Sequence, residues 1–305
     1  MEKQILLIVL GVVTAIYIVV WFAYLRRTFG AGAPKERISL APQLGIGFLA
    51  NFMDTLGVGS FAITSSIYKL LNAIPDDLIP GTMNVGHALP TATEAFIFVA
   101  VVAVEFRTLA LMIAAAVLGA WFGAGTVSQW PKRRIQIGLG IALFAAALLM
   151  LGSVLNWFPA GGAAMGLSGT KLIIAVVCNF MFGAFQQLGV GLYAPCMILV
   201  YFLGMNPLAA FPIMMGSCAF LMPVGGFRFI KEARYSPKAA IGLTIGGIPA
   251  VLIAAFIVKS LPISKVKWLV VFVVLYTSVM LLRSAFTESA AEAASRSHAP
   301  EAASE

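Results

Sequence analysis

Five residues in the first half of the chain have side chains that could carry a proton or bind a small polar molecule inside an apolar environment. Asn84, His87, Thr91 and Glu94 are spaced i, i+3, i+7 and i+10, and Asp54 lies in the preceding hydrophobic segment. At about 100° per residue, this spacing places the four within roughly 80° of one another on one helix face. Ionisable groups inside a membrane are costly and usually face a pathway or a partner. Asp54, His87 and Glu94 are therefore candidates for carrying a coupling proton.

Asp54, His87 and Glu94 could also have purely structural roles. His87 could be a neutral imidazole that is hydrogen-bonded to a backbone carbonyl, and Asp54 could be an acceptor beside a broken stretch of backbone. A direct pair between Glu94 and His87 would have to reach across two turns of helix, which is an imperfect fit. The sequence alone leaves the proton-carrying and the structural roles open.

A four-residue string occurs twice in hydrophobic surroundings and divides the chain into two similar units. Leu56-Gly57-Val58-Gly59 recurs as Leu188-Gly189-Val190-Gly191, 132 positions later, and Pro80 falls on Pro212 in the same register. Two copies of a unit with a glycine-interrupted hydrophobic segment are typical of membrane transporters. The alternative is that these glycines only let helices pack closely.

A break in each copy would create two pairs of half-helices. The N-terminal end of a half-helix carries partial positive charge and free N–H groups, so two such ends near the membrane midplane could hold an anion without a buried lysine. The predicted substrate site comprises the breaks and the polar residues beside them, namely Gly57, Val58, Gly59, Ser60, Gly189, Val190, Gly191, Gln187, Asn51 and Asn84. The site is expected to be asymmetric, because the second copy has small or apolar residues where the first has its polar face. These residues are Gly216, Ala219, Pro223 and Gly226.

The composition places the chain in a membrane. Of its 305 residues, 61% are hydrophobic and only 10% are charged, far fewer charges than the roughly 25% of a soluble domain. The net charge of +8 comes from basic residues in short loops between hydrophobic runs, which is typical of cytoplasmic loops rather than of nucleic-acid binding. The three cysteines lie in apolar runs and do not suggest a disulfide framework. We find no nucleotide-binding, metal-binding or soluble-enzyme motif, so no cofactor, no metal and no enzymatic activity are expected.

The hydrophobic segments predict an all-α polytopic membrane protein with two inverted repeats and one extra N-terminal transmembrane helix. Each repeat has a glycine-broken, re-entrant element followed by three transmembrane helices. The predicted divisions are 1–40 (N-terminal helix and basic loop), 41–156 (repeat 1), 157–169 (linker), 170–283 (repeat 2) and 284–305 (disordered tail). The broken elements are predicted over 41–75 and 171–206, and the spans over 82–104, 107–129, 135–156, 210–228, 238–259 and 266–283.

The positive-inside rule orients these segments. The most basic loops, 25–40, 129–134 and 228–238, all fall on one side if each broken element enters and leaves on the same side. Only the lysines at 259, 265 and 267 disagree. We therefore expect a multi-pass protein of the cell (inner) membrane with its N-terminus outside and its C-terminus in the cytoplasm.

Over residues 40–283, the chain twice has a glycine-broken segment after an apolar helix and before a proline-led helix. The marks of this pattern are Gly45-Ile46-Gly47, the two Leu-Gly-Val-Gly strings, and the helix starts at Pro131 and Pro262. The pattern resembles the TauE/SafE family of sulfite and organosulfonate exporters. The chain is expected to be a divergent member, because Ser60 and Leu192 stand where that family has further glycines. The resemblance implies a transporter of small, often sulfur-containing, anions.

The leading hypothesis is therefore a secondary transporter, working as an exporter, that moves a small anion such as sulfite or an organosulfonate. It would be driven by the proton gradient or the membrane potential. The expected partners are the anion and the lipid bilayer, without nucleic acid, and a homo-oligomer is left open. In one alternative, Asp54 and Glu94 bind a cation, either as the coupling ion or as the substrate. In another, His87 and these carboxylates do acid–base chemistry in an intramembrane enzyme or assembly factor, which leaves the matched second repeat without a role.

Overall fold

The computed structural model describes residues 2–28, 39–123, 132–155, 162–259 and 262–297. These residues are almost entirely helical, and among them the only β-structure is one isolated bridge. The helices of the first half are α1 (Glu2–Thr28), α2 (Leu40–Thr55), α3 (Ser60–Leu71), α4 (Ile79–Gly86), α5 (Ala88–Val101), α6 (Phe106–Gly123) and α7 (Lys132–Val154). Those of the second half are α8 (Gly169–Gln186), α9 (Tyr193–Phe202), α10 (Ala210–Lys231), α11 (Pro237–Lys259) and α12 (Ile263–Ser297).

Six of the described helices are long and apolar enough to cross a membrane, namely α1, α6, α8, α10, α11 and α12. The set includes α8, which we predicted as half of a broken element. Large apolar side chains are exposed on these helices, for example Val19, Trp121 and Phe256. Such extensive apolar surface suits contact with lipid rather than with water. The expectation of an all-α polytopic membrane protein is confirmed.

The first glycine string ends α2 where the sequence predicts a break. The N–H of Gly57 donates to the carbonyl of Asp54 at 2.7 Å, and the N–H of Val58 donates to the carbonyl of Met53 at 3.0 Å. This pair of bonds is a Schellman cap, which places one residue in the left-handed conformation. Gly57 takes that position with a φ of 95°. The chain then starts α3 at Ser60.

The second string ends α8 in the same way. The N–H of Gly189 donates to the carbonyl of Gln186 at 2.9 Å, and the N–H of Val190 donates to the carbonyl of Phe185 at 3.3 Å. Gly189 has a φ of 82°. The two Leu-Gly-Val-Gly strings therefore fold into equivalent caps, each followed by a second, shorter helix.

The predicted span over 82–104 is not one helix. The structure interrupts it at His87 and forms α4 and α5, so the prediction of a continuous span is wrong here. Pro90 explains the interruption, because proline has no N–H to donate to the carbonyl of Gly86 four residues earlier. The hydroxyl of Thr244 on α11 donates to that carbonyl instead, at 2.7 Å.

Helix α2 packs along α11, a helix of the other half. Gln43 lies against Gly242 and Asn51 lies against Gly247, so the two helices run parallel and begin at the same face of the protein. The missing side chains of both glycines let the helices approach closely, as in many membrane proteins. The amide of Asn51 also reaches the carbonyl of Leu243 at 3.4 Å.

Helix α8 packs along α6 in a reciprocal arrangement. The amide of Asn179 donates to the carbonyl of Met112 at 2.7 Å, and Gly123 lies against Ala184 further along the same parallel contact. Asn179 thus makes the contact with the other half that Asn51 makes in the first copy. The first helix of each broken element, α2 or α8, therefore packs against a later helix that belongs to the other half, α11 or α6.

These contacts define two faces of the molecule. At the basic face, the N–H of Ser236, just before α11, donates to Thr82 near the start of α4 at 2.9 Å. Helix α1 ends at this face with Arg26 and Arg27, and α2 begins there. At the opposite face, Lys3 donates to the carbonyl after α5, and α6 and α8 begin. Helices α2 and α8 therefore start at opposite faces.

The last helix of the first half, α7, and the last helix of the second half, α12, pack against each other as an antiparallel pair. Gly140 lies against Leu282, and Ser278 donates to the carbonyl of Gly140 at 2.7 Å. Helix α12 continues to Ser297, beyond position 283 where the last predicted span ends. Residues 298–305 of the predicted tail, and the predicted helix start at Pro131, lie outside the described residues.

Candidate functional site

A cavity of about 350 Å³ lies where the two breaks come together. Its inner end is lined by residues of both breaks and by the start of α9, namely Val58, Gly59, Gly189, Gly191, Tyr193 and Ala194. Its walls come from α3, α4, α7 and α12. The lining continues to half-buried Lys69 and exposed Asp76. The cavity therefore extends from the breaks to the basic face.

At the opposite face, the chain segments beside the second break are tied together. The N–H of Asn206 donates to the carbonyl of Ala164 at 2.8 Å, and the N–H of Glu105 donates to the carbonyl of Met165 at 2.7 Å. The ammonium group of Lys171 donates to the carbonyl of Leu203 at 3.0 Å. None of these residues is among those that line the cavity.

Asp54 joins the two helices of the first broken element. Its Oδ1 accepts a 2.6 Å hydrogen bond from the N–H of Ser60, the first residue of α3, and its Oδ2 accepts a 3.1 Å bond from the Ser60 hydroxyl. The carboxyl is 1% exposed. The partial positive charge at the start of α3 is therefore already matched by a side chain of the protein itself.

The second broken element has no such carboxyl. Gln186 stands 132 positions after Asp54, and Leu192 stands 132 positions after Ser60. The start of α9 has no side-chain cap, although the first N–H groups of a helix have no partner within it. The two half-helix ends differ chemically, and the uncapped one lines the cavity.

His87 is held between two side chains in a fully buried position. The amide nitrogen of Asn51 donates to the carbonyl of Gly47 at 2.7 Å, so its Oδ1, 3.0 Å from Nδ1 of His87, is the acceptor. His87 therefore carries its proton on Nδ1 and accepts at Nε2 from the hydroxyl of Thr64, 2.9 Å away. This arrangement describes a neutral imidazole bonded to side chains, not to a backbone carbonyl.

Glu94 is also fully buried, and both of its oxygens are occupied. Its Oε2 accepts from the hydroxyl of Tyr193 at 2.7 Å, and its Oε1 lies 2.7 Å from the hydroxyl of Thr55. The Thr55 hydroxyl also lies 2.9 Å from the carbonyl of Asn51. Because a hydroxyl has one proton, both Thr55 contacts are satisfied together only when Glu94 is protonated and donates to Thr55. Glu94 thus pairs with Thr55 and Tyr193 and not with His87.

The family model of the sulfite exporter TauE/SafE family matches residues 1–150. The first 150 residues are therefore similar to the TauE/SafE family. No curated protein and no solved structure matches the chain. The matched segment covers α1 to α6 and most of α7, and it includes Asp54, His87 and Glu94. The second break lies after the matched segment. The match and the six long apolar helices support membrane transport.

The structure brings only part of the predicted site to the cavity. Val58, Gly59, Gly189 and Gly191 line it. Gly57, Ser60 and Val190 belong to the breaks but do not line the cavity. Asn51 lies in a buried polar cluster that consists of Asn51, Asp54, Thr55, Thr64, His87 and Glu94. Gln187 is buried, with both amide atoms unpaired among the described residues, and lies against Gly225. Asn84 lies apart, where its amide donates to the carbonyl of Pro80 at 2.9 Å.

Several residues of the site were not predicted from the sequence. Tyr193 connects the cavity with Glu94. It lies in an apolar run of the sequence, and only its position after the second break could have indicated a role for it. Thr55 and Thr64 complete the hydrogen bonds of Glu94 and His87. Gln136 on α7 and Thr277 on α12 line the cavity, and they lie on helices that we predicted as ordinary spans.

Proposed function

We propose that the chain is a secondary transporter that exports a small sulfur-containing anion, such as sulfite or an organosulfonate. The cavity at the two breaks carries this proposal, because its inner end includes the uncapped start of α9, in a chain whose residues 1–150 match the TauE/SafE family. N–H groups at the start of a helix favour negative charge. The N–H groups of Tyr193 and Ala194 are therefore the proposed donors to the anion, with Gly59, Gly189 and Gly191 leaving space for it.

The start of α3 has a different part in this proposal. Asp54 already accepts from its first N–H group, so a second anion beside it would meet a carboxyl. In this proposal the substrate contacts the α9 side of the cavity. Gly57, Ser60 and Val190 have a structural role and maintain the backbone conformation of the breaks. The two broken elements thus have the same helix cap in the backbone, but only the start of α3 has a carboxyl group bonded to it.

The two halves are proposed to be inverted repeats. Three observations support this proposal: the equivalent caps, the reciprocal packing of α2 on α11 and of α8 on α6, and the start of α2 and α8 at opposite faces. In transporters of this kind, one repeat rocks against the other around a fixed site and opens it to each side in turn. The cavity that extends to the basic face would be one of these two states.

The basic face is proposed to be cytoplasmic. Arg26 and Arg27 end α1 at this face, and Lys231 and Arg234 lie in the segment before α11. Basic loops are retained on the cytoplasmic side, which places the N-terminus outside. A cavity open to the cytoplasm is the state in which an exporter takes up its substrate.

Glu94 is the proposed carrier of the coupling proton, with Asp54 and His87 as its neighbours in the buried polar cluster. Tyr193 donates to Glu94 and also lines the cavity, so an anion at the start of α9 lies one residue away from the proton carrier. A charged residue in a membrane is costly unless it is paired. Loss of the Glu94 proton and binding of the anion would therefore oppose each other, which links the two binding equilibria.

A cation site at Asp54 and Glu94 remains the second candidate, because two buried carboxyls occur in one cluster. Their hydrogen bonds favour the proton instead. Both oxygens of Asp54 accept from Ser60, and both oxygens of Glu94 have hydroxyl partners. Reversing the imposed membrane potential separates the two candidates, because the sign of the substrate charge sets the direction of electrogenic flux.

A ligand screen with the detergent-purified protein tests the proposed function. The panel contains sulfite, thiosulfate, sulfate, small sulfonates and small carboxylates. An anion at 100 times its dissociation constant is expected to raise the free energy of unfolding by about 2.7 kcal/mol. Proteoliposomes then show whether the same anion is transported with a proton gradient.

Gly191→Ala is the test variant for this screen. A Cβ there would lie 3.9 Å from Phe61 and the position has no positive φ, so the methyl group enters the cavity lining without backbone strain. We expect it to weaken anion binding several-fold. Gly45→Ala is the control, since nothing lies within 4 Å of its Cβ. A panel without any stabilising anion, together with proteoliposomes without anion flux, would refute the proposal.

A further inference from the structure

Two equivalent contacts relate the breaks to each other. A Cβ on Gly59 would lie 3.8 Å from Cβ of Tyr193, and a Cβ on Gly191 would lie 3.9 Å from Cβ of Phe61. Gly191 and Tyr193 stand 132 positions after Gly59 and Phe61, respectively. The start of each half-helix therefore faces the second glycine of the other break, as the proposed inverted repeats require.

The helices that follow the two breaks run toward opposite faces. Helix α3 carries Lys69 and leads to Asp76, and both residues line the cavity near the basic face. Helix α9 leads to Leu203, whose carbonyl accepts from Lys171 in the first turn of α8, at the opposite face. The cavity therefore follows α3, and a passage equivalent to it would follow α9.

Along α9 and α10, the positions equivalent to the cavity wall are packed. Three residues that line the cavity have counterparts 132 positions later: Ser65, Ser66 and Ile79 correspond to Met197, Ile198 and Phe211. The three counterparts are buried and are not among the residues that line the cavity. The ring of Phe211 stacks on Phe98 of α5, with 5.3 Å between the ring centroids. The counterparts are therefore packed between the two halves.

Met197 covers the first break on this packed side. A Cβ on Gly57 would lie 3.1 Å from Sδ of Met197 and 3.2 Å from its Cε. At the second break, a Cβ on Gly189 would contact only Cε of Met83 among the described residues, at 3.6 Å. Gly189 lines the cavity and Gly57 does not. The long side chain of Met197 thus occupies at one break the space that the short side chain of Ser65 leaves open at the other.

We propose that Met197 is a gate, which in this state closes a second passage that runs from the breaks along α9 to the opposite face. In the other state of the transport cycle, Met197 leaves Gly57, Ile198 and Phe211 line the second passage, and the cavity beside Ser65 closes. Methionine suits this role, because its unbranched side chain adapts to different packing. This inference rests on the proposed transport by inverted repeats and identifies the residues of the second access route.

Two reporter cysteines measure which passage is open. Ser66→Cys reports the passage to the basic face, and Ile198→Cys, at the equivalent position, reports the passage to the opposite face. Each reporter is labelled in sealed vesicles that contain the full chain, with a membrane-impermeant maleimide added to one face at a time. Chains without a reporter give the background labelling of the native cysteines, of which Cys178 is half-buried and Cys196 and Cys218 are buried.

Two substitutions exchange the residues of the gate. Removal of a buried side chain destabilises the packed state, so Met197→Ser is expected to raise the labelling rate of Ile198→Cys from the opposite face by about tenfold. Labelling of Ser66→Cys from the basic face should fall. Ser65→Met fills the open cavity and should shift both rates in the same directions, so it carries the test if Met197→Ser does not fold. Met112→Ser is the control, because it removes an equally buried methionine on α6 and should keep the ratio of the two rates.

The outcomes separate the gate from the proposed function. Faster labelling of Ile198→Cys from the opposite face in the gate variants, with slower labelling of Ser66→Cys, supports the gate. Labelling of Ile198→Cys from the basic face, unchanged rates in the folded gate variants, or the same shift in Met112→Ser overturns the gate, while anion flux through the wild type would leave transport standing. Because labelling needs no substrate, the expected shift in a chain that moves no anion would support the gate and refute the proposed substrate.

Discussion

The hydroxyl of Tyr193 donates a 2.7 Å hydrogen bond to Oε2 of Glu94, a residue 99 positions earlier in the other half of the chain. Tyr193 is the first residue of α9 and lines the cavity, whereas Glu94 is fully buried behind it. This bond connects the half-helix end proposed for the anion with the carboxyl proposed for the proton. The residues that bind and those that couple are therefore direct neighbours.

Tyr193→Phe tests this connection. The change keeps the ring and leaves one oxygen of buried Glu94 without its donor, which should lower the free energy of unfolding by about 1–3 kcal/mol. Anion flux in proteoliposomes should fall about tenfold, and the number of protons moved with each anion should change. Tyr276→Phe is the control, because half-buried Tyr276 on α12 lies outside the polar cluster. Equal proton-to-anion ratios in Tyr193→Phe and wild type would contradict the connection.

Asp54 has a structural and a proposed coupling role, and two substitutions separate them. Asp54→Ala leaves the buried first N–H of α3 without its acceptor, which should cost about 1–3 kcal/mol, whereas the side-chain oxygen of asparagine can still accept from it. Asp54→Asn should therefore keep the thermal stability of the wild type. If Asp54 also takes part in proton coupling, this stable variant should show reduced proton-driven flux. Full flux in Asp54→Asn would restrict Asp54 to its structural role.

Alanine at the positive-φ glycines tests the caps. Gly57 and Gly189 have φ values of 95° and 82°, and a left-handed conformation costs a residue with a Cβ about 1–2 kcal/mol. Gly57→Ala and Gly189→Ala should each lower stability by that amount, measured by thermal unfolding in detergent. Gly45→Ala, within α2 and without neighbours at its Cβ, should be neutral or should stabilise by up to about 1 kcal/mol. Similar losses in all three variants would argue against the caps.

The interruption at His87 can be tested with a double-mutant cycle. Thr244→Val removes the donor to the carbonyl of Gly86 and should cost about 1–3 kcal/mol, because that carbonyl is then unpaired. In a Pro90→Ala background, residue 90 has an N–H that can donate to the same carbonyl, so the cost of Thr244→Val should become much smaller. Additive costs within about 0.5 kcal/mol would mean that the two residues do not share this carbonyl.

The breaks could be predicted because local sequence determines them. A Leu-Gly-Val-Gly string ends a helix through its own glycine, and its recurrence after 132 positions identified both ends at once. The interruption at His87 also has a local cause, Pro90, which the prediction of one span over 82–104 left out of account. The helical wheel that placed Asn84 beside Glu94 assumed an unbroken helix, whereas α4 and α5 are separated at His87.

The partners of the buried groups could not be predicted, because they come from distant parts of the chain. Glu94 meets Tyr193, and His87 meets Asn51 and Thr64, through the packing of α5 against α2, α3 and α9. A tyrosine in an apolar run carries no mark of such a contact. Gln136 and Thr277 become notable only when the cavity shows which side chains line it.

The reciprocal packing of α2 on α11 has a consequence for biosynthesis. Helix α2 carries buried Gln43, Asn51 and Asp54, and the partner of Asn51, Leu243, is 192 positions further along the chain. At roughly 5–20 residues per second, the ribosome makes that partner about 10–40 seconds later. During this interval the face of α2 that packs against α11 lacks its partner, so the insertion machinery or a chaperone has to shield it until the second half has been inserted.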